Sequence, residues 1–435
     1  MTLWIAIIGS GPAGYYAAEA LIKDLRDKAR IDIIDRLPTP YGLIRAGVAP
    51  DHQSIKAVAK RYEKTSTQPN VRFIGNVEIG NMVSIEELRG LYDAVVLATG
   101  APKDRPLDIP GEDKVGVIGS AAFVAWYNAH PDFCDLAIDL NVDKVAVIGN
   151  GNVAIDVARV LAKSPDEMAR SDLARHAAGK IHDAPIREIH VFGRRGPLEA
   201  SFTPKELGEL AALGECVTIV DGGQLPALDE LGDVEPTTRK NLGHLHQFAT
   251  NTPGSKPKTL YLHFYARPVA VLGDAHVRGL RLERTRVENG DCIGTGDRFE
   301  LDCGLLVPCI GYRSQAIEGI AYDQRRGRFV NENGVIAPGL FCTGWARRGP
   351  SGTIGTNRPD AFEVAATIID TVKPAGKAGG DGLDTLLAER GVQPVYFEDW
   401  KRIEAAEEAA ANAGAPRHKF ATHEALIAAA RGKAT

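Results

Sequence analysis

Two glycine turns and one pair of arginines carry the chemistry most readily read from this chain. Gly9, Gly11 and Gly14 lie in Gly9-Ser-Gly-Pro-Ala-Gly14, directly after the apolar run Leu3–Ile8. A turn without side chains lets the backbone approach a pyrophosphate. A helix starting there, with Pro12 and Ala13 in its first turn, offers unpaired N–H groups and the positive end of its dipole. Asp35 ends a second apolar run, Ile31–Ile34, and stands 21 residues beyond Gly14 (35 − 14). A carboxylate there can bind an adenosine ribose hydroxyl. The same grammar returns at Lys144–Ile148, followed by Gly149-Asn150-Gly151-Asn152-Val153-Ala154. The next apolar run, Glu188–Phe192, leads not to an acid but to Gly193-Arg194-Arg195. Two guanidiniums can grip a 2′-phosphate with charge-assisted bonds, which a carboxylate would repel. The second unit is therefore expected to take NADPH. The plain alternatives are a glycine turn without a ligand and an exposed basic turn.

One protein rarely needs two nicotinamides, so the first unit is expected to hold FAD, the natural hydride acceptor. Two later strand-end turns fit that reading. "LATG" (Leu97–Gly100) contributes Thr99 and Gly100, and "GLFCTGW" (Gly339–Trp345) contributes Gly344 and Trp345. Gly352-Thr353-Ile354-Gly355 is expected to open a helix whose dipole stabilises negative charge on a reduced flavin.

The elements around these residues alternate strand and helix, as a parallel sheet requires. The fold class expected is α/β, with two Rossmann-like dinucleotide-binding domains, the second inserted into the first. The boundaries are expected at 1–104 and 339–435 for the FAD domain, with a C-terminal helical tail, and 105–338 for the NADP domain. Antiparallel strands are expected over about 260–310, and a helix after Pro359. Composition agrees with a globular chain: hydrophobic residues make up 44% and charged residues 25%, which excludes disorder, coiled coil and collagen. With 51 Lys+Arg and 56 Asp+Glu the net charge is −5, which argues against a general nucleic-acid binder. Six cysteines form no CxxC pair, so neither a disulfide framework, a metal set nor a redox dithiol beside a flavin is expected. Electrons must then leave by another route, which favours a one-electron protein acceptor. A cytoplasmic location without a leader or membrane span is expected.

The motifs together resemble the adrenodoxin-reductase-type ferredoxin–NADP reductases. The likeness rests on "YGLIRAGVAPDH" (Tyr41–His52), "GNGNVAIDVAR" (Gly149–Arg159), "GRRGPLEASFTPKEL" (Gly193–Leu207) and "GWARRGPSGTIGTN" (Gly344–Asn357). "FVAWYNAHPDF" (Phe123–Phe133) and "FEDWKRIEAAEE" (Phe397–Glu408) extend it to the C-terminal tail. The stretch around 224–260 departs from the family pattern. The resemblance implies NADPH:ferredoxin oxidoreductase activity: hydride transfer from NADPH to FAD, then single electrons to an iron–sulfur ferredoxin. It implies FAD contacts at Gly9, Gly11, Gly14, Asp35, Gly42, Leu43, Arg45, Val48, Val77, Trp345 and Ile354. It implies NADP contacts at Asn150, Gly151, Asn152, Val153, Arg194, Arg195, Glu206 and Gly355. His52 and Glu209 match residues near the nicotinamide, joined there by Trp345 and Gly355. Their bland alternatives are a capping or packing histidine and a solvated carboxylate. A monomer is also implied.

Charge segregation suggests where a partner docks. No acidic residue occurs between Glu235 and Asp274, a stretch that holds Arg239, Lys240, Lys256, Lys258 and Arg267. A second acid-free stretch carries Arg347, Arg348 and Arg358. These are expected to attract an acidic ferredoxin, with Arg239, Lys240, Arg347 and Arg348 as docking candidates. The competing readings are a flavin subunit of the glutamate synthase kind, a flavin monooxygenase, and a redox-sensing module that binds both nucleotides without turnover.

Overall fold

The computed structural model describes residues 1–229 and 231–433. The chain forms two compact units. One comprises 1–103, 128–132 and 311–433, and the other 104–127 and 133–310 among the described residues. The second unit is thus inserted into the first.

The first unit is built on a seven-stranded sheet. Its five inner strands are parallel, in the order Leu340–Cys342, Ala94–Leu97, Leu3–Ile8, Ala29–Ile34 and Val71–Gly75. Each edge carries one short antiparallel strand, Val335–Ala337 or Val395–Tyr396. The central strands read as near-continuous Ile, Val and Ala because helices cover both faces. Strand Leu340–Cys342 pairs with Ala94–Leu97, so the sheet begun at the N-terminus is completed some 240 residues later (340 − 97 = 243). The return lies at Gly311 rather than at 339. The segment between includes Phe329, fully buried in this unit's core, and the edge strand Val335–Ala337.

The second unit has a five-stranded parallel sheet, in the order Leu305–Pro308, Lys144–Ile148, Glu188–Phe192, Lys258–His263 and Cys216–Val220. A three-stranded antiparallel sheet follows, Ala266–Leu272, Gly279–Glu288 and Asp291–Asp302. The antiparallel expectation for about 260–310 therefore holds only for this middle part. Its flanks, Lys258–His263 and Leu305–Pro308, enter the parallel sheet, where Leu260, Leu305, Leu306 and Val307 are fully buried. The helix expected after Pro359 begins earlier, at Asn357. A proline in the first turn has no intrahelical N–H to lose, so it does not mark the start. The C-terminal tail forms helices Phe397–Ala409 and His423–Ala430, which pack Trp400, Ile403 and Leu426 into the first unit's core.

Candidate functional site

In the first unit, strand Leu3–Ile8 runs into helix Pro12–Leu25 through the glycine turn. Gly9 has φ +110°, and a Cβ there would lie 2.4 Å from the Ala98 carbonyl oxygen. A Cβ on Gly14 would lie 2.0 Å from the Gly9 carbonyl oxygen, so helix and turn touch backbone to backbone. Gly11 differs: a Cβ there would meet nothing within 4 Å. That open side, at the helix N-terminus, suits a pyrophosphate. The Asp35 carboxylate accepts from Ser10 N–H at 2.8 Å, Ser10 Oγ at 2.6 Å and Leu37 N–H at 3.0 Å. Val77 N–H donates to the Asp35 carbonyl at 2.9 Å, placing Val77 beside it.

The 41–48 segment lies against the same turn. Tyr41 N–H donates to the Ser10 carbonyl, and a Cβ on Gly42 would approach Gly11 Cα to 2.9 Å. Leu43, next in the chain, is 46% exposed. Val48 packs on the core. Arg45 does not present a free cation here. Its guanidinium forms a bidentate pair with the fully buried Glu407 of the C-terminal helix, and it lies over Trp400. The strand-end residue Thr99 has a buried Oγ1 with no partner among the described residues. Such an atom is costly unless a ligand serves it. Gly100, at φ +67°, also has an open side.

The last turn of the sheet completes this group. A Cβ on Gly344 would lie 2.5 Å from Ala13 Cβ, so the turn rests on the first turn of helix Pro12–Leu25. Asp360 organises it, taking bonds from Thr343 Oγ1, Gly344 N–H and Arg347, with Arg348 3.1 Å away. Trp345 is half-buried and donates its indole N–H to the Ser351 carbonyl at 3.0 Å. Gly352, Thr353 and Gly355 are exposed, while Ile354 packs partly on the core. His52 is buried, 6% exposed, and its carbonyl accepts the first bonds of helix Gln53–Lys56.

In the second unit, Gly149 has φ +146°, and a Cβ there would lie 2.4 Å from the Cys309 carbonyl oxygen. Gly151 is open, as Gly11 is. Asn150 and Asn152 tie the turn to its neighbours: the Asn150 carbonyl accepts from Ser201 N–H, and Asn152 Oδ1 from Thr203 N–H, both at 2.8 Å. Val153 is half-buried beside them. Glu206, in the first turn of helix Pro204–Glu209, has a buried Oε2 without a partner among the described residues. Glu209 is engaged with Arg159, 3.4 Å away and 1% exposed, so its position fits a counter-charge to a buried guanidinium. Arg194 is exposed and Arg195 half-buried. Neither guanidinium forms an ion pair or hydrogen bond among the described residues. Two unneutralised cations beside an open glycine turn match a 2′-phosphorylated dinucleotide.

The basic stretches divide differently from the expectation. Arg347 and Arg348 are neutralised by Asp360, with Glu363 also on Arg347, so they serve the turn rather than a surface. Lys256 and Lys258 donate inward to the carbonyls of Leu213 and Leu161. Arg267 pairs with Glu283 at 2.7 Å. Arg239 and Lys240, on helix Pro236–Ala249, are exposed. The sequence reading missed Ser10, Asp360 and Glu407. Ser10 could have been inferred from its place inside the turn. Asp360 and Glu407 could not, because their partners are distant in sequence or lie in stretches read only for positive charge.

Comparison with known proteins agrees with this geometry. Residues 4–193 match the family model for pyridine nucleotide-disulphide oxidoreductases, although none of the six cysteines here forms a disulfide. The chain is 39% identical over 436 residues to NADPH-ferredoxin reductase FprA of Mycobacterium leprae, covering 96% of each chain. It is 38% identical to the mitochondrial NADPH:adrenodoxin oxidoreductase of Homo sapiens, covering 97% of this chain and 91% of the other. The structure of Mycobacterium tuberculosis FprA in complex with NADPH superposes with a TM-score of 0.96 at 38% identity, covering 99% of this chain and 100% of that one. The chain belongs to the family of the NADPH–ferredoxin and NADPH:adrenodoxin reductases.

Proposed function

We propose that the chain oxidises NADPH and delivers the electrons, through bound FAD, to a ferredoxin. The observation that carries this is the opposite equipment of its two glycine turns. One has a fixed carboxylate at the strand end, and the other has two unpaired guanidiniums. The first unit would hold FAD with Gly9, Gly11, Pro12, Ala13, Gly14, Asp35, Gly42, Leu43, Val48, Val77, Thr99, Gly100, Gly344, Trp345, Gly352, Thr353 and Ile354. Arg45 would contribute through its backbone and through the ion pair that fixes the 41–48 segment. The second unit would hold NADPH with Asn150, Gly151, Asn152, Val153, Arg194, Arg195 and Glu206, with Gly355 reserved for the nicotinamide. Bound FAD converts a two-electron hydride into single electrons, which none of the protein's own side chains can do. The chain's own task is to orient the two nucleotides and to fix charge around them. No general base is needed, so His52 and Glu209 would act by shape and charge.

The acceptor is read as an acidic iron–sulfur protein. Exposed Arg239 and Lys240 are the docking cations that support this, now without Arg347 and Arg348. Among the described residues no helix is long and apolar enough to cross a membrane, and no cluster of His, Cys, Asp or Glu is suited to a metal. The test is an anaerobic titration of the purified protein. NADPH should bleach the flavin bands far faster than NADH, and added ferredoxin should stimulate cytochrome c reduction, less so at high salt. A protein that binds both nucleotides but does not bleach would be the sensing module instead.

A further inference from the structure

The two arginines of the second turn are free at their guanidiniums, yet the backbone beneath them is held from three directions. The Arg194 carbonyl accepts from Thr285 Oγ1 at 2.7 Å and from Cys292 Sγ at 3.0 Å. The Arg195 carbonyl accepts from Tyr265 N–H at 3.2 Å, and Tyr265 sits at φ +55°, where a non-glycine residue is uncommon. Gly193 is fixed on both sides, donating to the His263 carbonyl at 2.8 Å and accepting from Ala266 N–H at 3.0 Å. Gly196 N–H is capped by Glu199 at 2.9 Å. A Cβ on Gly196 would fall 2.2 Å from Tyr265 Oη, so the turn and Tyr265 are packed together.

The first two donors come from one hairpin of the antiparallel sheet. Near its tip, Thr285 pairs with Gly294 and Val287 with Cys292, which puts Thr285 and Cys292 on one face. A bulge sets this tip apart from the rest of the hairpin. Between the pairs Glu283–Arg298 and Thr285–Gly294, one strand has one residue and the other has three, Thr295–Asp297. Glu283 locks the bulge by accepting from Gly296 N–H at 3.0 Å and from Arg267. Bulges are a common device for re-aiming side chains. Thr285 is 6% exposed, so the donor side of its hydroxyl bond to Arg194 is shielded from water. A carbonyl oxygen has two lone pairs, and here both are engaged. The peptide joining Arg194 to Arg195 therefore cannot rotate freely, and the two side chains leave it from fixed roots.

We propose that Thr285, assisted by Cys292, is a positioning residue for recognition of the 2′-phosphate: it pre-organises the Arg194–Arg195 turn and so sets the preference for the phosphorylated over the unphosphorylated nucleotide. The inference rests on the reading that this turn takes NADPH. It predicts that losing the hydroxyl weakens only ligands that carry a 2′-phosphate, because the rest of the nucleotide lies on the Gly149–Val153 turn.

The test measures binding of adenosine 2′,5′-bisphosphate and of 5′-AMP to the FAD-loaded protein by calorimetry. Thr285→Val keeps the shape and removes the donor. It should weaken the bisphosphate by about 5-fold, the size of one net buried hydrogen bond, and change 5′-AMP by less than about 2-fold. Thr285→Ser should restore the wild-type ratio. If the valine variant does not fold, Thr285→Ala must give the same selective loss. Equal loss for both ligands, or no loss for either, overturns the proposal. Arg194→Ala is the control for the underlying reading. If it does not distinguish the two ligands, the NADPH assignment fails. If it distinguishes them and Thr285→Val does not, only the positioning role fails.

Discussion

The two glycine turns are built on one plan, and three of the differences between them bear on which nucleotide each takes. In each, a central strand ends in a glycine with positive φ whose N–H donates to the last carbonyl of the neighbouring strand: Gly9 to Ile34 at 2.8 Å, Gly149 to Phe192 at 2.9 Å. By register, Asp35 in the first unit corresponds to Gly193 in the second, because Ile8 pairs with Ile34 and Ile148 with Phe192. The residue after the first glycine is Ser10 in one and Asn150 in the other. Ser10 is short and donates to Asp35. Asn150 is longer, and its amide lies where a side chain at 193 would begin: a Cβ on Gly193 would fall 1.6 Å from Asn150 Nδ2. Asparagine and carboxylate therefore exclude each other at this place, and the charge that selects the nucleotide moves on to Arg194 and Arg195. The third difference is Gly14 against Ala154. The first helix meets its turn with no space for a methyl group, whereas the second stands far enough away to carry one.

The comparison is broken most severely at Gly14. Gly14→Ala would force a methyl group 2.0 Å from the Gly9 carbonyl, a contact that only backbone movement relieves. Overpacking of this kind costs about 1–3 kcal/mol, and here the movement displaces the turn that holds FAD. The variant is expected to purify with little flavin, measured as the ratio of released flavin to protein. A full complement of FAD would show that the close approach is not required.

The arginines come next. Each charge-assisted bond to a 2′-phosphate contributes about 1.5–3 kcal/mol, so Arg194→Ala or Arg195→Ala should raise the Kd for NADPH about 10- to 100-fold. Affinity for NADH should stay near its wild-type value. Equal weakening of both would mean that these cations steer negative charge in general and do not read the 2′ position.

A further contrast lies in the two parallel sheets. Among the described residues the first unit's strands contain no histidine, while the second's contain His190 and His263. Their rings share a 3.0 Å contact and stack with Phe192 and Tyr261. Burial lowers the pKa of both, His263 to about 3, with His190 and Arg284 adding to the effect and Asp221 opposing it. Glu188 and Lys144 lie on the His190 side. Below pH 6.5 the unfolded chain binds a proton that folded His263 does not. The folded state therefore loses stability as pH falls from about 6.5 towards 3, by about 1.4 kcal/mol per pH unit. At pH 5 the second unit should have lost about 2 kcal/mol from this source, on the same scale, while His130, its pKa lowered by burial to about 4, acts in the same direction in the first unit. Hydrogen exchange at pH 7 and pH 5 would show it as a loss of protection in the second sheet. His263→Phe should flatten the dependence. A loss in the second sheet that His263→Phe leaves unchanged would assign the effect elsewhere.

Much of this site could be read from sequence because it depends on short-range patterns. Glycines at fixed spacing, strand-end Asp35 and the Arg194–Arg195 pair each lie within a few residues of the turn they serve, so order along the chain is order in space. Reading failed where a charge found its partner through the fold. Arg45 stays in the segment against the first turn, but its guanidinium is held by Glu407, 362 residues later, a pairing that sequence order does not reveal. Arg347 and Arg348 were expected on a docking surface because their neighbours in sequence are not acidic. Asp360, one helical turn into the next element, pairs with both, and Glu363 adds a second carboxylate on Arg347. Lys258 lies in an acid-free stretch, yet it opens an inner strand of the parallel sheet, half-buried, and its pKa is lowered by that burial. A run of like charge in sequence is a weak guide to surface charge when strands alternate sides.

The smallest expected effect tests the third difference between the turns. Ala154 is fully buried in the first turn of helix Asn152–Ala162. Ala154→Gly restores the residue that the first unit has at this place. Glycine in a helix costs about 1 kcal/mol relative to alanine, so the second unit should melt a few degrees earlier. The helix need not move, because a methyl group is removed and none is added. The Gly149–Val153 turn stays anchored by the Asn150–Ser201 and Asn152–Thr203 bonds. Affinity for NADPH is then expected within about 3-fold of wild type, the more so because the arginines that select it root in a different strand end. A gain or loss beyond 10-fold would mean that helix-to-strand spacing, and not only strand-end charge, separates the two nucleotide sites.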